Sequence, residues 1–301
     1  MRTEDLFRFI RERYAVLQRR KQGLPKPWTQ DPILQSYRFC NVYREDDTVT
    51  QWIKENWRDP HTNDPDVWFA MAVARYVNWP DTLAEIGYPV PWDQRLSSYT
   101  MQEHFENTMM MRQTAGEKVW TGAYMIHAGK GGSKIDHVSD NILTPLWERR
   151  DYIREATTSC ARLQKRLEEF NGIGSFMAGQ IVCDTKYTRL LDTAGDFWEF
   201  AVEGPGSKRG LNRVMGRPVN QNWKKDEWFV ELTRLRTAIL PMIHVAGMPH
   251  LHAQDLQNCL CEFDKYERVS LGEGRPRNNY PGREATTPTT WGDVSKSTEG
   301  A

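Results

Sequence analysis

Apolar side chains recur every three or four residues in several stretches of the chain, which is the spacing of an amphipathic helix. The residues with this spacing are Leu6, Phe9, Ile10 and Leu17; Val49, Trp52, Ile53 and Trp57; Leu163, Leu167 and Phe170; Phe229, Leu232 and Ile239; and Leu256, Leu260 and Phe263. The strict alternation of apolar and polar residues that marks a half-buried strand is not found. The pattern therefore predicts an all-α protein, in which Pro241 disturbs the helix that contains Ile239.

Turn-forming residues separate the predicted helices and indicate how the chain is organised. The segments rich in such residues, which we expect to be connections, are 23–27, 59–65, 129–133 and 204–210. Beyond Leu271 the chain turns to Gly, Pro, Arg, Asn, Ser and Thr, so residues 271–301 are predicted to form a poorly ordered tail. We expect residues 1–270 to form a single two-lobed helical catalytic domain.

Charge and composition argue against several classes of protein. The 301 residues include 40 basic and 40 acidic side chains, so the chain has no bulk positive charge with which to coat nucleic acid. No apolar run reaches the roughly 18 residues of a membrane-spanning helix, and Arg2, Glu4 and Asp5 stand where a signal peptide would be apolar. The cysteines are too scattered for a disulfide scaffold. We therefore expect a protein that does not associate with membranes and that resides in a reducing cytoplasm.

The most specific local motif is Gly172-Ile173-Gly174, set between two helical segments. Two glycines around one apolar residue allow a tight turn with positive φ, whose amides point outward at the start of the next helix. The motif favours a helix-hairpin-helix near residues 159–184 that binds a DNA phosphate through those amides. An ordinary pair of helices with a glycine cap explains the motif equally well.

Two acidic residues follow the hairpin where helix-hairpin-helix glycosylases place a catalytic aspartate. They are Asp192 and Asp196. The lysine nucleophile that such enzymes often carry inside the hairpin is missing, because residues 175–180 contain no lysine. The hairpin region therefore resembles a glycosylase in the position of its acids, but it lacks the lysine nucleophile.

Four blocks of sequence, spread over most of the chain, carry a resemblance to one family. They are Pro27 to Thr29 with Asp31 to Leu34 and Tyr37 to Asp47; Gly172 to Ala178 with Gln180 to Val182 and Asp184; Asp196, Trp198, Gly204 to Ser207 and Arg209 to Arg213; and Leu260 to Tyr266. Together they resemble the α-glutamyl/putrescinyl thymine pyrophosphorylases of phages and bacteria, also called amino acid:DNA transferases. The helical domain of that family is also associated with 5-hydroxymethyluracil DNA kinases. Residues 185–191 and 199–203 are less typical, which leaves the choice of amine open.

The resemblance implies an all-α fold like that of helix-hairpin-helix DNA glycosylases and a transferase that hypermodifies thymine in phage DNA. Its substrate would be double-stranded DNA with a flipped-out, pyrophosphorylated 5-hydroxymethyluracil, which a hydroxymethyluracil DNA kinase prepares in the cytoplasm of the infected host. An amino acid or a polyamine would displace the pyrophosphate, with no cofactor. A DNA glycosylase and a non-catalytic DNA-binding module are the alternatives.

The implied reaction needs a carboxylate, because loss of pyrophosphate from the C5 methylene leaves positive charge on that carbon. Asp196 is the first candidate and Asp184 the second, while Asp192 occupies the glycosylase-like position. The alternatives are that Asp184 is a helix-end or surface acid and that Asp196 caps a short helix. Trp28 and Trp198 are the candidates to stack on a flipped base.

The leaving pyrophosphate and the DNA backbone need cations and amides. Residues 204–210 combine a glycine-rich loop with two bases, and they lack the ending of a Walker P-loop. The residues expected to bind pyrophosphate or DNA are Arg38, Asn41, Arg44, Gly172, Gly174, Ser175, Gly204, Gly206, Ser207, Lys208, Arg209, Arg213 and Lys265. A plain surface turn at 204–210, and pairing of Arg38 and Arg44 with Glu45 and Asp46, remain open. His250, His252 and Asp255 lack a fourth ligand, so we expect no metal.

Overall fold

The architecture is helical, as the sequence predicts. The computed structural model describes residues 1–121 and 133–274. Its α-helices are α1 Thr3–Lys21, α2 Pro32–Ser36, α3 Thr48–Ile53, α4 Val67–Val77, α5 Pro80–Ile86, α6 Met101–Thr114, α7 Lys134–Val138, α8 Thr144–Glu148, α9 Arg150–Arg154, α10 Cys160–Leu167, α11 Ser175–Thr185, α12 Pro205–Met215, α13 Lys225–Val245 and α14 Ala253–Ser270. Two short strands, β1 Arg95–Leu96 and β2 Tyr99–Thr100, pair antiparallel.

The chain divides into two compact units. The first unit contains Met1–Asp47 and the chain from Glu203 onward, and the second contains Thr48–Val202. The expected single domain over residues 1–270 stays a prediction. Of the expected tail, residues 275–301 lie outside the described residues, as do residues 129–132 of the expected connection at 129–133.

The second unit is built around α4, whose residues are all buried. Arg75 is its only charged residue, so the helix has no polar face and belongs in the middle of a core. Helix α11 packs against it, and α10 packs against α11. Two π-helical turns, Lys54–Arg58 and Ser139–Leu143, extend neighbouring helices in this unit.

The first unit pairs α12 closely with α14. The sequence interpretation of residues 204–210 as a loop is wrong, because helix α12 begins at Pro205. A side chain on Gly210 would overlap the backbone of Leu260, and one on Gly206 would overlap Cys261. Close approach of two helices, and not freedom of the backbone, therefore explains these glycines.

Helix α13 continues through Pro241, so the expected disturbance does not end the helix. Proline removes one backbone donor, which leaves the carbonyl of Thr237 without its usual partner along the helix. Both Thr237 and Pro241 are exposed, so water can satisfy that carbonyl. The cost of the proline is therefore small enough for the helix to persist.

Candidate functional site

The helical hairpin joins α10 to α11 in the second unit. Gly172 has φ +84°, as the motif predicts, and its carbonyl accepts a hydrogen bond of 3.1 Å from the hydroxyl of Tyr76. A side chain on Gly172 would also crowd Ile142. Gly174 has an ordinary φ of −79° and open space around it, so Gly172 is the glycine of the motif that supplies the positive φ of the turn.

The start of α11 is the part of the hairpin that an anion could reach. Gly174 is the N-cap residue and supplies no side-chain hydrogen bond to the helix. Ser175 is exposed at the first helical position, and its carbonyl accepts a hydrogen bond of 3.2 Å from Gln164. The first amides of a helix lack partners within the helix, which suits the predicted contact with a DNA phosphate.

The carboxylate of Asp196, a residue that follows α11, lies at the N-terminal end of α10 in the same unit. Its Oδ1 accepts a hydrogen bond of 2.9 Å from the amide of Cys160, and its Oδ2 accepts 2.8 Å bonds from the amide of Ala161 and the hydroxyl of Ser159. Burial opposes the ionised form, but these neutral donors outweigh burial and lower the pKa of Asp196. The carboxylate is only half-buried and keeps its full negative charge at neutral pH.

Asp184 lies in α11 and is completely buried. It forms a bidentate ion pair with Arg75 of α4, in which the Nη2–Oδ1 distance is 2.7 Å. The same guanidinium donates 3.0 Å bonds to Asn78 and Thr50. The alternative of a surface acid is therefore wrong, and the buried pair holds α4 and α11 together.

Asp192 and the two candidate tryptophans differ in exposure. Asp192 accepts a hydrogen bond of 3.1 Å from Arg189 near the surface. Trp198 is 41% exposed and meets the ring of Phe197 edge-on at 5.2 Å. Trp28 is 8% exposed, and its indole nitrogen donates a 2.7 Å bond to the carbonyl of Leu24. Trp198 therefore presents a ring to solvent, whereas Trp28 is mostly buried.

The expected phosphate loop forms the first turn of α12 in the first unit. Gly204 is the N-cap, and its amide donates a 3.1 Å bond to the hydroxyl of Ser207. Ser207 is fully buried and donates back to the carbonyl of Gly204 at 3.0 Å. Lys208 lies 3.3 Å from Glu203. The hydroxyl of Ser207 is therefore engaged with the N-cap residue, and Lys208 already has an acidic partner.

Three arginines converge on Asp264, a buried acid of α14. Arg213 lies 2.7 Å, Arg209 3.0 Å and Arg268 3.3 Å from its oxygens. Arg209 also donates a 2.7 Å bond to Asn220, and Arg213 pairs with Glu273. Three guanidinium groups against two carboxylates leave one net positive charge in this cluster.

The contacts within the cluster shift the pKa of two of its members, Arg213 and Glu273. Burial opposes the charged form of Arg213, but its bonds to Glu273 and Asp264 outweigh burial and raise its pKa. The bond from Arg213 lowers the pKa of Glu273. Arg213 is buried, whereas the side chains of Arg209 and Arg268 are each about a third exposed. An external anion could therefore reach Arg209 and Arg268 more readily than Arg213.

The remaining predicted binding residues lie between α2 and α3 or on α14, also in the first unit. Residues 38–41 are not helical, so Arg38 and Arg44 do not share a face of one helix. The carbonyl of Arg38 accepts a bond from Lys265, and the amide of Arg44 donates a 3.0 Å bond to Asp255. The side chain of Asn41 donates a 2.8 Å bond to the carbonyl of Asp46.

The predicted site residues fall into two groups, one in each unit. The second unit contains the three candidate acids, the hairpin glycines, Ser175 and Trp198, while the first unit contains the other candidates. Ser159, Arg268 and Asn220 were missed by sequence reasoning. Ser159 precedes a helix, which is a capping signal, and Arg268 follows Asp264 by one helical turn. The sequence therefore contained a signal for Ser159 and for Arg268.

Within the described ranges, no three His, Cys, Asp or Glu side chains converge closely enough to hold a metal ion. No helix in that part of the chain is long and apolar enough to cross a membrane.

Comparison with known proteins finds a matching family and a similar phage protein. Residues 1–275 match the family described as "5-hmdU DNA kinase, helical domain". The chain is 26% identical over 285 residues to the 5-hmdU DNA kinase of Bacillus phage SP10, and the match covers 85% of this chain and 43% of that relative. The chain therefore spans less than half the length of this relative. No solved structure matches.

Proposed function

The chain belongs to the family of 5-hmdU DNA kinase helical domains, and we propose that it acts in phage hydroxymethyluracil modification, as an amine transferase. In the proposed reaction the bond between the C5 methylene and oxygen breaks, and pyrophosphate leaves with the electron pair. The amine nitrogen then forms a bond to the methylene carbon and loses a proton to water. A hydroxymethyluracil DNA kinase would prepare the substrate, in line with the name of the SP10 relative.

The observation that carries the proposal is the state of Asp196. Its carboxylate is held by one hydroxyl and two amides, none of which carries a formal charge. Its negative charge therefore remains available to stabilise a methylene carbon that becomes positive as pyrophosphate leaves. A lowered pKa makes Asp196 a weak base, so we assign it charge stabilisation and not removal of the amine proton.

The hairpin and Trp198 supply the proposed contacts with DNA. The uncapped start of α11 offers amides to a backbone phosphate, and Ser175 is exposed there. A base inside a duplex is out of reach of a catalytic group, so the target base must flip out. The exposed ring of Trp198, two residues after Asp196, suits stacking on that base. A glycosylase-like arrangement of the helices is part of this proposal.

The arginine cluster around Asp264 is the proposed holder of pyrophosphate. Its net positive charge and the partly exposed side chains of Arg209 and Arg268 support this role. Arginine can meet two phosphate oxygens at once through its planar group. Because Asp264 already engages all three arginines, we expect a moderate contribution to pyrophosphate binding and not a deep phosphate cradle.

Mass spectrometry of nucleosides tests the proposal. Hydroxymethyluracil DNA is treated with a cognate kinase and ATP, then with the protein and a mixture of amino acids and polyamines. We expect a thymine derivative that carries an amine, with release of pyrophosphate. Release of free base would identify a glycosylase instead. Salt-dependent DNA binding with no product would identify a non-catalytic DNA-binding module.

A further inference from the structure

A small cavity lies beside α1 in the first unit. One face of α1 supplies Arg13, Val16, Leu17 and Arg20, which follow the helical spacing of three and four residues. The rest of the lining is Leu34, Phe39, Cys40 and Asn41. The volume of the cavity is about 10 Å³, which is room for one oxygen-sized group.

Arg13 is a buried cation without a carboxylate partner. It is 5% exposed and makes no ion pair within the described part of the chain. Its guanidinium donates to the carbonyls of Cys40 and Asn41 and to the sulfur of Cys259. Its Nε has no hydrogen-bond partner among the described residues. Buried charges are normally paired, so this guanidinium is poised to receive an anion.

The surroundings of Arg13 favour a small anion. Arg20 is exposed at the same cavity, and its side chain has no hydrogen bond or ion pair with any described residue. The lining contains no acidic side chain. Glu262 bonds to the amide of Cys40 at 3.3 Å, but it also pairs with Lys265 at 3.3 Å. Two arginines therefore face the cavity without an acid of their own.

We propose that this cavity binds one carboxylate oxygen of an amino acid, with Arg13 below and Arg20 at the opening. The volume admits a single oxygen, and the apolar walls from Val16, Leu17 and Leu34 suit a small carboxylate better than a solvated DNA phosphate. The role of this amino acid as the incoming amine rests on the proposed function. The binding itself does not, because it needs neither DNA nor turnover.

Isothermal titration calorimetry without DNA tests the cavity with a matched pair of probes. Glycine and glycinamide share an amine and differ in the carboxylate, and putrescine represents the polyamines. We expect glycine to bind about tenfold or more tightly than either amine that lacks a carboxylate, because two cations contact the anionic group. Equal binding of glycine and glycinamide, or no binding of glycine, would overturn the proposal.

Variants of α1 locate the binding. Arg20 is exposed, so Arg20→Gln should weaken glycine binding about tenfold without changing the melting temperature. The control is Arg11→Gln, which lies on the same helix but outside the cavity and should leave glycine binding unchanged. Arg13→Gln should abolish binding, and circular dichroism reports whether that variant folds. Displacement of glycine by inorganic phosphate or by an unmodified oligonucleotide would instead assign the cavity to a phosphate. Glycine binding in a protein that forms no amine product would separate this inference from the transferase proposal.

Discussion

Asp196 and Asp264 are two acids that each gather three donors, but the donors differ in charge. Asp196, in the second unit, is held by one hydroxyl and two backbone amides. Asp264, in the first unit, is held by three guanidinium groups. Neutral donors leave the negative charge of Asp196 available to a substrate, whereas the charge of Asp264 is offset within the protein. The carboxylate of Asp196 is therefore suited to stabilise charge on a substrate, whereas the carboxylate of Asp264 is suited to stabilise the fold.

Two glycines, one in each unit, are required for different physical reasons. Gly172, in the hairpin, has a positive φ that other residues rarely adopt. Gly210, in α12, has an ordinary helical backbone, and the close approach of Leu260 excludes a side chain. Both segments look alike as glycine-rich sequence. One is a turn at the surface, and the other is a helix contact in a core.

The largest effect is expected from Asp264→Asn, which leaves three guanidinium groups around a neutral amide. Breaking a buried ion pair by removing one partner costs about 4 kcal/mol. Urea denaturation should report a loss of that order in the free energy of unfolding. Glu273→Gln is the control, since Glu273 is more exposed and pairs with Arg213 alone within the cluster. Equal losses in the two variants would remove the distinction drawn for Asp264.

Gly210→Ala should come next, because the added carbon would overlap the carbonyl of Leu260. Forcing atoms into a packed contact costs about 3 kcal/mol when backbone must move. Gly174→Ala is the matched control, with open space and a negative φ, and should cost less than about 1 kcal/mol. Thermal unfolding of both variants checks this order, and a larger loss for Gly174→Ala would contradict it.

Asp196→Asn should destabilise the fold only moderately, by about 1 kcal/mol at neutral pH, as for other lost helix caps. Because folding lowers the pKa of Asp196, its contribution is present above the unfolded pKa of about 3.9 and is lost as pH falls through the folded pKa. The stability difference between wild type and variant should therefore shrink as pH falls below about 4. A difference that grows at acid pH would contradict the assigned shift.

Arg209→Lys should have the smallest effect on stability, less than about 1 kcal/mol, because the side chain is a third exposed. Lysine lacks the planar fork, so turnover of pyrophosphorylated DNA should slow about fivefold with less change in affinity for unmodified DNA. Single-turnover assays and binding to both DNAs measure the two quantities. Equal loss of affinity for both DNAs would identify a backbone contact instead.

Helices with one polar face were predictable from sequence, and helices without one were not. Leu6 and Ile10 lie one helical turn apart on the buried side of α1, and the period is visible in the sequence. Every residue of α4 is buried and only Arg75 is charged, so its sequence has no polar face to mark it as a surface helix. The glycines of α12 have low helix propensity and so predict a loop, but the contact with α14 overrides that propensity.

The surroundings of the candidate acids depended on contacts far apart in sequence. Asp196 was a capping candidate, but the helix it caps begins 36 residues before it. Asp184 pairs with Arg75 across 109 residues. Local spacing cannot identify such partners. The hairpin, in contrast, was predictable from local sequence, because a positive φ at Gly172 is a property of the turn itself.

The rate of amine transfer by Asp196→Asn tests the central claim most directly. The assay is a single turnover on pyrophosphorylated hydroxymethyluracil DNA, with DNA affinity measured in parallel and Ser159→Ala as the control that removes one donor but keeps the carboxylate. We predict a rate about 100-fold or more below wild type for Asp196→Asn, with unchanged affinity, and a much smaller loss for Ser159→Ala. A normal rate in folded Asp196→Asn, or equal losses in both variants, would contradict a role for the charge of Asp196 in the reaction.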